Sequence, residues 1–297
     1  MTKNINKIKL ALISVLFGTI GVISVFIPLS SAAAAFYRSF AAAIFLFFYT
    51  IATKNYIRIE AVKKDILLLI IVGLSLCVNW IAQFESFRVA SVAVGTVCYN
   101  TMPIFVLILA PIMFKEKMTL KNKICILVAM IGIVLVSNVL VNGIRADETI
   151  GCIYGIIGAI GYAFVVMFNR KIDNASSLEK TTIEFFIAAI MIIPYIVFIQ
   201  KGSFNFYENI STFERVRGLI LLLVLSIVHT GIAYVIYFDT QKKVDSTTIA
   251  IMTYIDPVVA LCLSHIVLKE SLNILQIIGT ILILGSTIVN EFVHEKN

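Results

Sequence analysis

Hydrophobic residues make up 60% of the 297 and charged residues only 14%, and the mean hydropathy of +1.00 excludes a soluble domain with a polar surface. The net charge of +7 is scattered over many short loops instead of one patch, which argues against nucleic acid as a partner. The lipid bilayer is the partner this composition calls for.

A helix needs about 20 apolar residues to cross roughly 30 Å of hydrocarbon, and ten stretches meet that length. They are predicted near Ile8 to Ile27, Ser31 to Thr53, Asp65 to Phe87, Ser91 to Phe114, Lys121 to Val139, Gly151 to Phe168, Thr181 to Gln200, Gly218 to Phe238, Thr247 to Leu268 and Leu275 to Phe292. The expected fold class is an all-α membrane protein of ten transmembrane helices. With the N-terminus inside, 17 Lys and Arg fall in cytoplasmic segments and 6 in outer loops, with Arg38 left within the membrane. That bias predicts a multi-pass protein of the cell membrane with both termini cytoplasmic. The basic opening, the first apolar run and the Ser31-Ala32-Ala33 that follows it also have the form of a cleavable secretory signal; its loss would spoil the arrangement described next. Cys77, Cys98, Cys125, Cys152 and Cys262 lie in apolar spans at no metal-ligand spacing and read as small buried hydrophobes.

Asn79 to Met118 slides onto Ala233 to Leu272 without a gap, placing Pro103 on Pro257 and Lys115-Glu116 on Lys269-Glu270. Matched prolines and charges are rare letters in so apolar a chain, so the match reads as an internal repeat. The predicted units are residues 1–141 and 150–297, joined by a linker at 142–149. Five crossings per unit force the second copy upside down. Consistent with that, Lys115, Lys117, Lys121 and Lys123 surround the loop of the first copy, while the second keeps only Lys269. Inverted repeats are a common construction of secondary transporters, with the substrate held near the midplane.

In chain order, the first span carries Ser14, Gly18 and Gly21 and the sixth Gly151, Gly155, Gly158 and Gly161, small residues that allow close helix approach. Arg38 lies about 10 Å deep in the second span by the helical rise, and a local alignment puts Glu184 opposite it, near enough to its helix end to snorkel. The third span offers Asn79, Trp80 and Gln83, with Asn79 and Gln83 on one face. The fourth offers Tyr99, Asn100 and Pro103, the proline freeing the Tyr99 carbonyl by kinking the helix. Pro257 is expected to do the same to Thr253. The eighth and ninth spans add His229, Tyr234, Tyr254 and Asp256. Asp256 either pairs with Arg38 or faces a cavity as a substrate or proton group. The fifth and tenth spans are nearly featureless and suit a lipid-facing or dimer-facing periphery, so a homodimer is one partner arrangement they would serve. The outer loop from Lys201 to Arg217 is expected along the membrane surface.

These residues resemble the EamA branch of the drug/metabolite transporter superfamily. The resemblance rests on Phe36-Tyr37-Arg38, on Phe87-Arg88-Val89-Ala90-Ser91, and on Pro103 and Pro257 each followed after thirteen residues by Glu116 and Glu270. It spans almost the whole chain. It implies two inverted five-helix repeats, a central cavity lined chiefly by the third, fourth, eighth and ninth helices, export or exchange of small metabolites such as amino acids, and a loop-anchoring role for Glu116 and Glu270. Two departures stand out: the repeat slips after Met118, and the first span lacks the membrane-embedded carboxylate used by four-helix multidrug members. The function expected is a secondary transporter, not an enzyme, with a small-molecule substrate and no metal or cofactor. The competing class is a membrane-embedded enzyme acting on lipid or isoprenoid substrates, although no Asp-rich cluster, zinc-protease helix or nucleophile turn occurs.

Overall fold

The computed structural model describes residues 2–114, 119–142, 146–200, 204–208, 210–241 and 254–294. The start of the expected ninth span, with Thr253, lies outside the described residues, as do Lys115, Glu116 and Lys117. The described chain is helical, without strands. Its helices are α1 (Thr2–Gly18), α2 (Ile20–Val25), α3 (Ser31–Ala52), α4 (Ile59–Val89), α5 (Val92–Tyr99), α6 (Met102–Phe114), α7 (Leu120–Val136), α8 (Val139–Asn142), α9 (Asp147–Asn169), α10 (Ser177–Phe198), α11 (Thr212–Leu223), α12 (Ala233–Gln241), α13 (Ile255–Leu268) and α14 (Ile274–His294). A π-helical stretch, Val224–Ile232, joins α11 to α12. Among the described residues, seven helical spans are long and apolar enough to cross a membrane, and Ile255–Leu268 and Ile274–Val289 are shorter apolar helices.

Local chemistry fixes the helix ends. The Ser30 hydroxyl accepts from the Ala33 N–H at 3.2 Å and starts α3, while Ser176 and Glu179 form a capping box that starts α10. Left-handed residues stop the chain at Lys54 after α3 and Lys269 after α13. The expected kink at Pro103 is corrected. Instead of bending a continuous helix, α5 ends at Tyr99, and Pro103 sits in the first turn of α6, where a missing N–H costs nothing. Pro257 likewise sits in the first turn of α13. The surface loop is also shorter than expected, because Ser211 and Glu214 cap α11, which takes up Arg215 and Arg217.

Packing exchanges partners between the two halves of the chain. The central contacts are α3 on α10, α4 on α9, α5 on α9 and α13, and α1 on α12 and α13, with α7 on α14 at the edge. The α1 helix is thus an integral part of the bundle. Alanine makes these approaches possible: Ala32, Ala33, Ala35, Ala42 and Ala43 of α3 are fully buried, as is Ala188 of α10. With lipid tails as apolar as leucine, such close packing is what holds helices together in a bilayer. At the edge, a side chain on Gly132 would strike the Gly279 carbonyl at 2.8 Å.

The direction of α10 follows from its ends. Its start lies beside the start of α4, where Arg58 meets Glu179 at 2.8 Å and Asp65 accepts from the N–H groups of Asn174 and Ala175 at 2.9 and 3.0 Å. Its end lies beside the start of α3, where the Ser30 hydroxyl donates to Gln200 at 2.7 Å and Tyr37 donates to the Phe204 carbonyl at 3.2 Å. Therefore α10 runs parallel to α4 and antiparallel to α3.

Candidate functional site

The helices that exchange partners meet around a set of aromatic and polar groups at the centre of the bundle. Arg38, on α3, is 2% exposed. Its Nε donates to the Thr230 hydroxyl at 2.8 Å, and its guanidinium carbon lies 4.9 Å from the centroid of the Trp80 ring and 5.6 Å from that of Phe84. A desolvated cation over an indole is stabilised by about 2 kcal/mol, which offsets part of its burial. One terminal nitrogen has no hydrogen-bond partner. Asp256 forms no ion pair with it among the described residues, so the paired alternative falls away.

The Thr230 position depends on the π-helical stretch. There the hydroxyl of Thr230 donates to the Leu225 carbonyl at 2.9 Å, five residues back, and the His229 ring nitrogen Nδ1 faces the Val224 carbonyl at 3.2 Å. A π-bulge widens the turn and rotates following side chains, a feature concentrated at functional sites. The other nitrogen, Nε2, lies 2.8 Å from the Thr19 hydroxyl. Since a carbonyl only accepts, Nδ1 carries a proton. Nε2 then either accepts from Thr19 or, protonated, donates to it while Thr19 turns its hydrogen to the Leu16 carbonyl, 2.7 Å away. Thr19 occupies a tightened turn between α1 and α2, where its own N–H bonds three residues back to Leu16.

On the facing wall, the Asn79 amide donates to the Gly158 carbonyl at 2.8 Å and reaches the Tyr99 hydroxyl at 3.3 Å. The Tyr99 and Tyr162 rings lie 6.1 Å apart, and the hydroxyls of Tyr162 and Tyr234 are hydrogen-bonded. Phe185 packs between Trp80 at 5.3 Å and Tyr234 at 5.5 Å. Tyr99 and Tyr234 are both within electrostatic reach of Arg38 and Asp256. Tyr99, Tyr162, Tyr234 and Asp256 are each half-buried.

Of the residues expected at the site, Arg38, Asn79, Trp80, Tyr99, His229, Tyr234 and Asp256 converge on this region. Gln83 is half-buried on the α4 face that meets Gly158. Asn100 instead turns back on its own helix, donating to the Thr96 carbonyl at 2.8 Å. Tyr254 stands at the N-cap position of α13, two residues before Asp256, with no capping bond from its side chain. Three participants were missed: Thr19, Tyr162 and Phe185. Tyr162 had a signal, as a polar-tipped ring directly after the glycine stripe of α9. The structure also corrects two other readings. Cys98 and Cys152 are joined in a disulfide between α5 and α9, and Cys262 is exposed on α13. Glu184 does not snorkel, being only 4% exposed. Outside this region, Glu270 anchors a loop, its carboxylate accepting from the Val92 and Ala93 N–H groups at 3.0 Å each, at the start of α5.

Comparison with known proteins bears on what this arrangement is for. A Bacillus subtilis (strain 168) protein named "Uncharacterized transporter YxxF" is 28% identical over 284 residues, covering 95% of this chain and 88% of its own. A "Probable amino-acid metabolite efflux pump" of Escherichia coli (strain K12) is 26% identical over 191 residues, 63% of each chain. A crystal structure 12% identical in sequence superimposes with a TM-score of 0.63 over 97% of this chain and 96% of that one, a likeness of fold alone. The family model described as "EamA-like transporter family" matches twice, over residues 6–138 and 149–291, and the chain belongs to that family.

Proposed function

We propose that the protein is a secondary carrier that moves small organic metabolites such as amino acids across the cell membrane by alternating access. In this reading ten helices form two inverted repeats, residues 1–141 and 150–297 about the linker 142–149, with both termini cytoplasmic. The antiparallel course of α3 and α10, which occupy equivalent places in the two repeats, supports the inversion. The observation that carries the function is Arg38: a buried guanidinium facing rings and hydroxyls, with one nitrogen unmatched and no carboxylate on it. A charge left so in a bilayer protein marks a solute or ion path. No observation favours the membrane-enzyme alternative.

Solute counterflow in proteoliposomes tests the proposal. Vesicles preloaded with an unlabelled amino acid mixture are expected to accumulate labelled members of it transiently and without ATP. Monodisperse, reconstituted protein that exchanges no amino acid or related metabolite would refute the reading.

A further inference from the structure

The bundle holds a second buried ionisable side chain that the function above does not use, Glu184, and its position in its helix matches that of Arg38. Ser30 caps α3 and Ser176 caps α10, and Arg38 and Glu184 each stand eight residues beyond their serine. The two sites hold opposite charges. Both are more than nine-tenths buried, at 2% and 4% exposure, and each keeps one polar atom without a partner, a guanidinium nitrogen on Arg38 and Oε1 on Glu184. We infer that Arg38 and Glu184 are two charge-selective stations on one solute path, Arg38 taking a carboxylate and Glu184 an ammonium, so that the carrier selects solutes bearing both. The inference rests on the carrier reading.

Both charges border the same ring cluster. Tyr234 is within electrostatic reach of Arg38 and of Glu184, and Phe185, next to Glu184, packs on Trp80 under the guanidinium. Glu184 has other polar neighbours, and they leave it unsatisfied. Asn169 hydrogen-bonds the carboxylate, and Lys180, one turn earlier, is within electrostatic reach. The Lys180 ammonium lies 3.4 Å from the Asn169 carbonyl. Asp256 is the other carboxylate of this region, but it stands in the first turn of α13, where the helix dipole favours a negative charge. Glu184 lies two turns into α10, beyond that influence. Because inverted repeats place equivalent residues at equal depths from opposite faces, the cation and the anion stand at opposite ends of that cluster. A zwitterion meets a complementary charge on each side.

Counterflow with three probes of one body, L-phenylalanine, phenethylamine and 3-phenylpropionate, separates the stations. Wild type is expected to prefer L-phenylalanine over either single-charge probe by about tenfold or more, the scale of losing one buried charge pair. R38Q is expected to bring phenethylamine level with L-phenylalanine, and E184Q to do so for 3-phenylpropionate. R38K and E184D should keep the wild-type order. The stations are refuted if R38Q and E184Q, eluting as monodisperse protein, keep that order, or if D256N in place of E184Q abolishes selection for the ammonium. Should R38Q not fold, E184Q against D256N decides the case alone. Wild type that exchanges metabolites carrying only one charge equally well overturns the stations while leaving the carrier intact, whereas wild type that exchanges nothing overturns the carrier.

Discussion

Two seams join the halves of this molecule, and they are built differently. Along the first, α4 and α9 are long and regular. Glycines of α9 face backbone: a side chain on Gly161 would meet the Asn79 nitrogen at 3.1 Å, and one on Gly151 the Ala90 nitrogen at 2.8 Å. Ser86 donates to the Gly151 carbonyl at 2.6 Å, Asn79 to that of Gly158, and the Cys98–Cys152 disulfide adds a covalent tie. Along the second, α1 and α2 meet α12, α13 and the π-helical stretch, and both walls are irregular, tightened at Thr19 and widened from Val224 to Ile232. The repeat supplied equivalent helices to both seams. One is closely packed along regular helices, and the other carries the backbone irregularities. Duplication sets the topology, while local sequence decides which seam is irregular.

The largest expected effect falls on the regular seam. G151A drives a methyl into the Ala90 backbone and is expected to destabilise by about 3 kcal/mol, whereas G285A, with nothing within 4 Å of the new methyl, should leave the melting temperature unchanged. Equal melting of the two variants in detergent would break the claim that this seam is the tighter. Next is T230V, which strips the acceptor from the Arg38 Nε and is expected to cost about 2 kcal/mol and most of the exchange rate, with T230S restoring both. Full exchange by T230V would show that the π-helical stretch does not position Arg38. T19V removes one partner of His229, an expected loss of about 1 kcal/mol, and should slow exchange more than it lowers melting, because it acts on the irregular seam. A melting loss with exchange untouched would reverse that assignment. The smallest effect concerns the disulfide: if the α5–α9 contact stays closed through the cycle, reduction should change exchange less than about twofold, far below the typical 2–4 kcal/mol scale on which a cross-link acts on stability. Strong activation on reduction would mean that this seam, too, must open.

Much of the plan was legible before any coordinates. Apolar length alone located the seven spans found among the described residues, and Pro103 with Pro257 exposed the duplication, which the family match over two stretches bears out. Arg38 announced itself as a charge where charges are costly. What remained hidden has a common physical cause. In spans where nearly every residue is apolar, hydrophobic periodicity carries no phase, so neither the turn at Thr19 nor the π-helical stretch left a mark. Pro103 was read as a kink because sequence cannot tell the interior of one helix from the first turn of the next. Cys98 and Cys152 pair only because α5 lies on α9. Glu184 was expected to reach outward, and only the packing of α10 against α3 and α4 shows it enclosed. Asn100 has a local carbonyl to satisfy it, which no spacing rule weighs against a distant cavity.

The proposed carrier requires its two halves to lie in opposite senses across the bilayer. The loops that follow the second helix of each half are exposed at Asn55 and at Glu208, so single cysteines placed there report the orientation directly. With a membrane-impermeant maleimide on intact cells, E208C should label from outside, and N55C only after permeabilisation. Labelling of both from the same side would contradict the inversion and, with it, the carrier built on it.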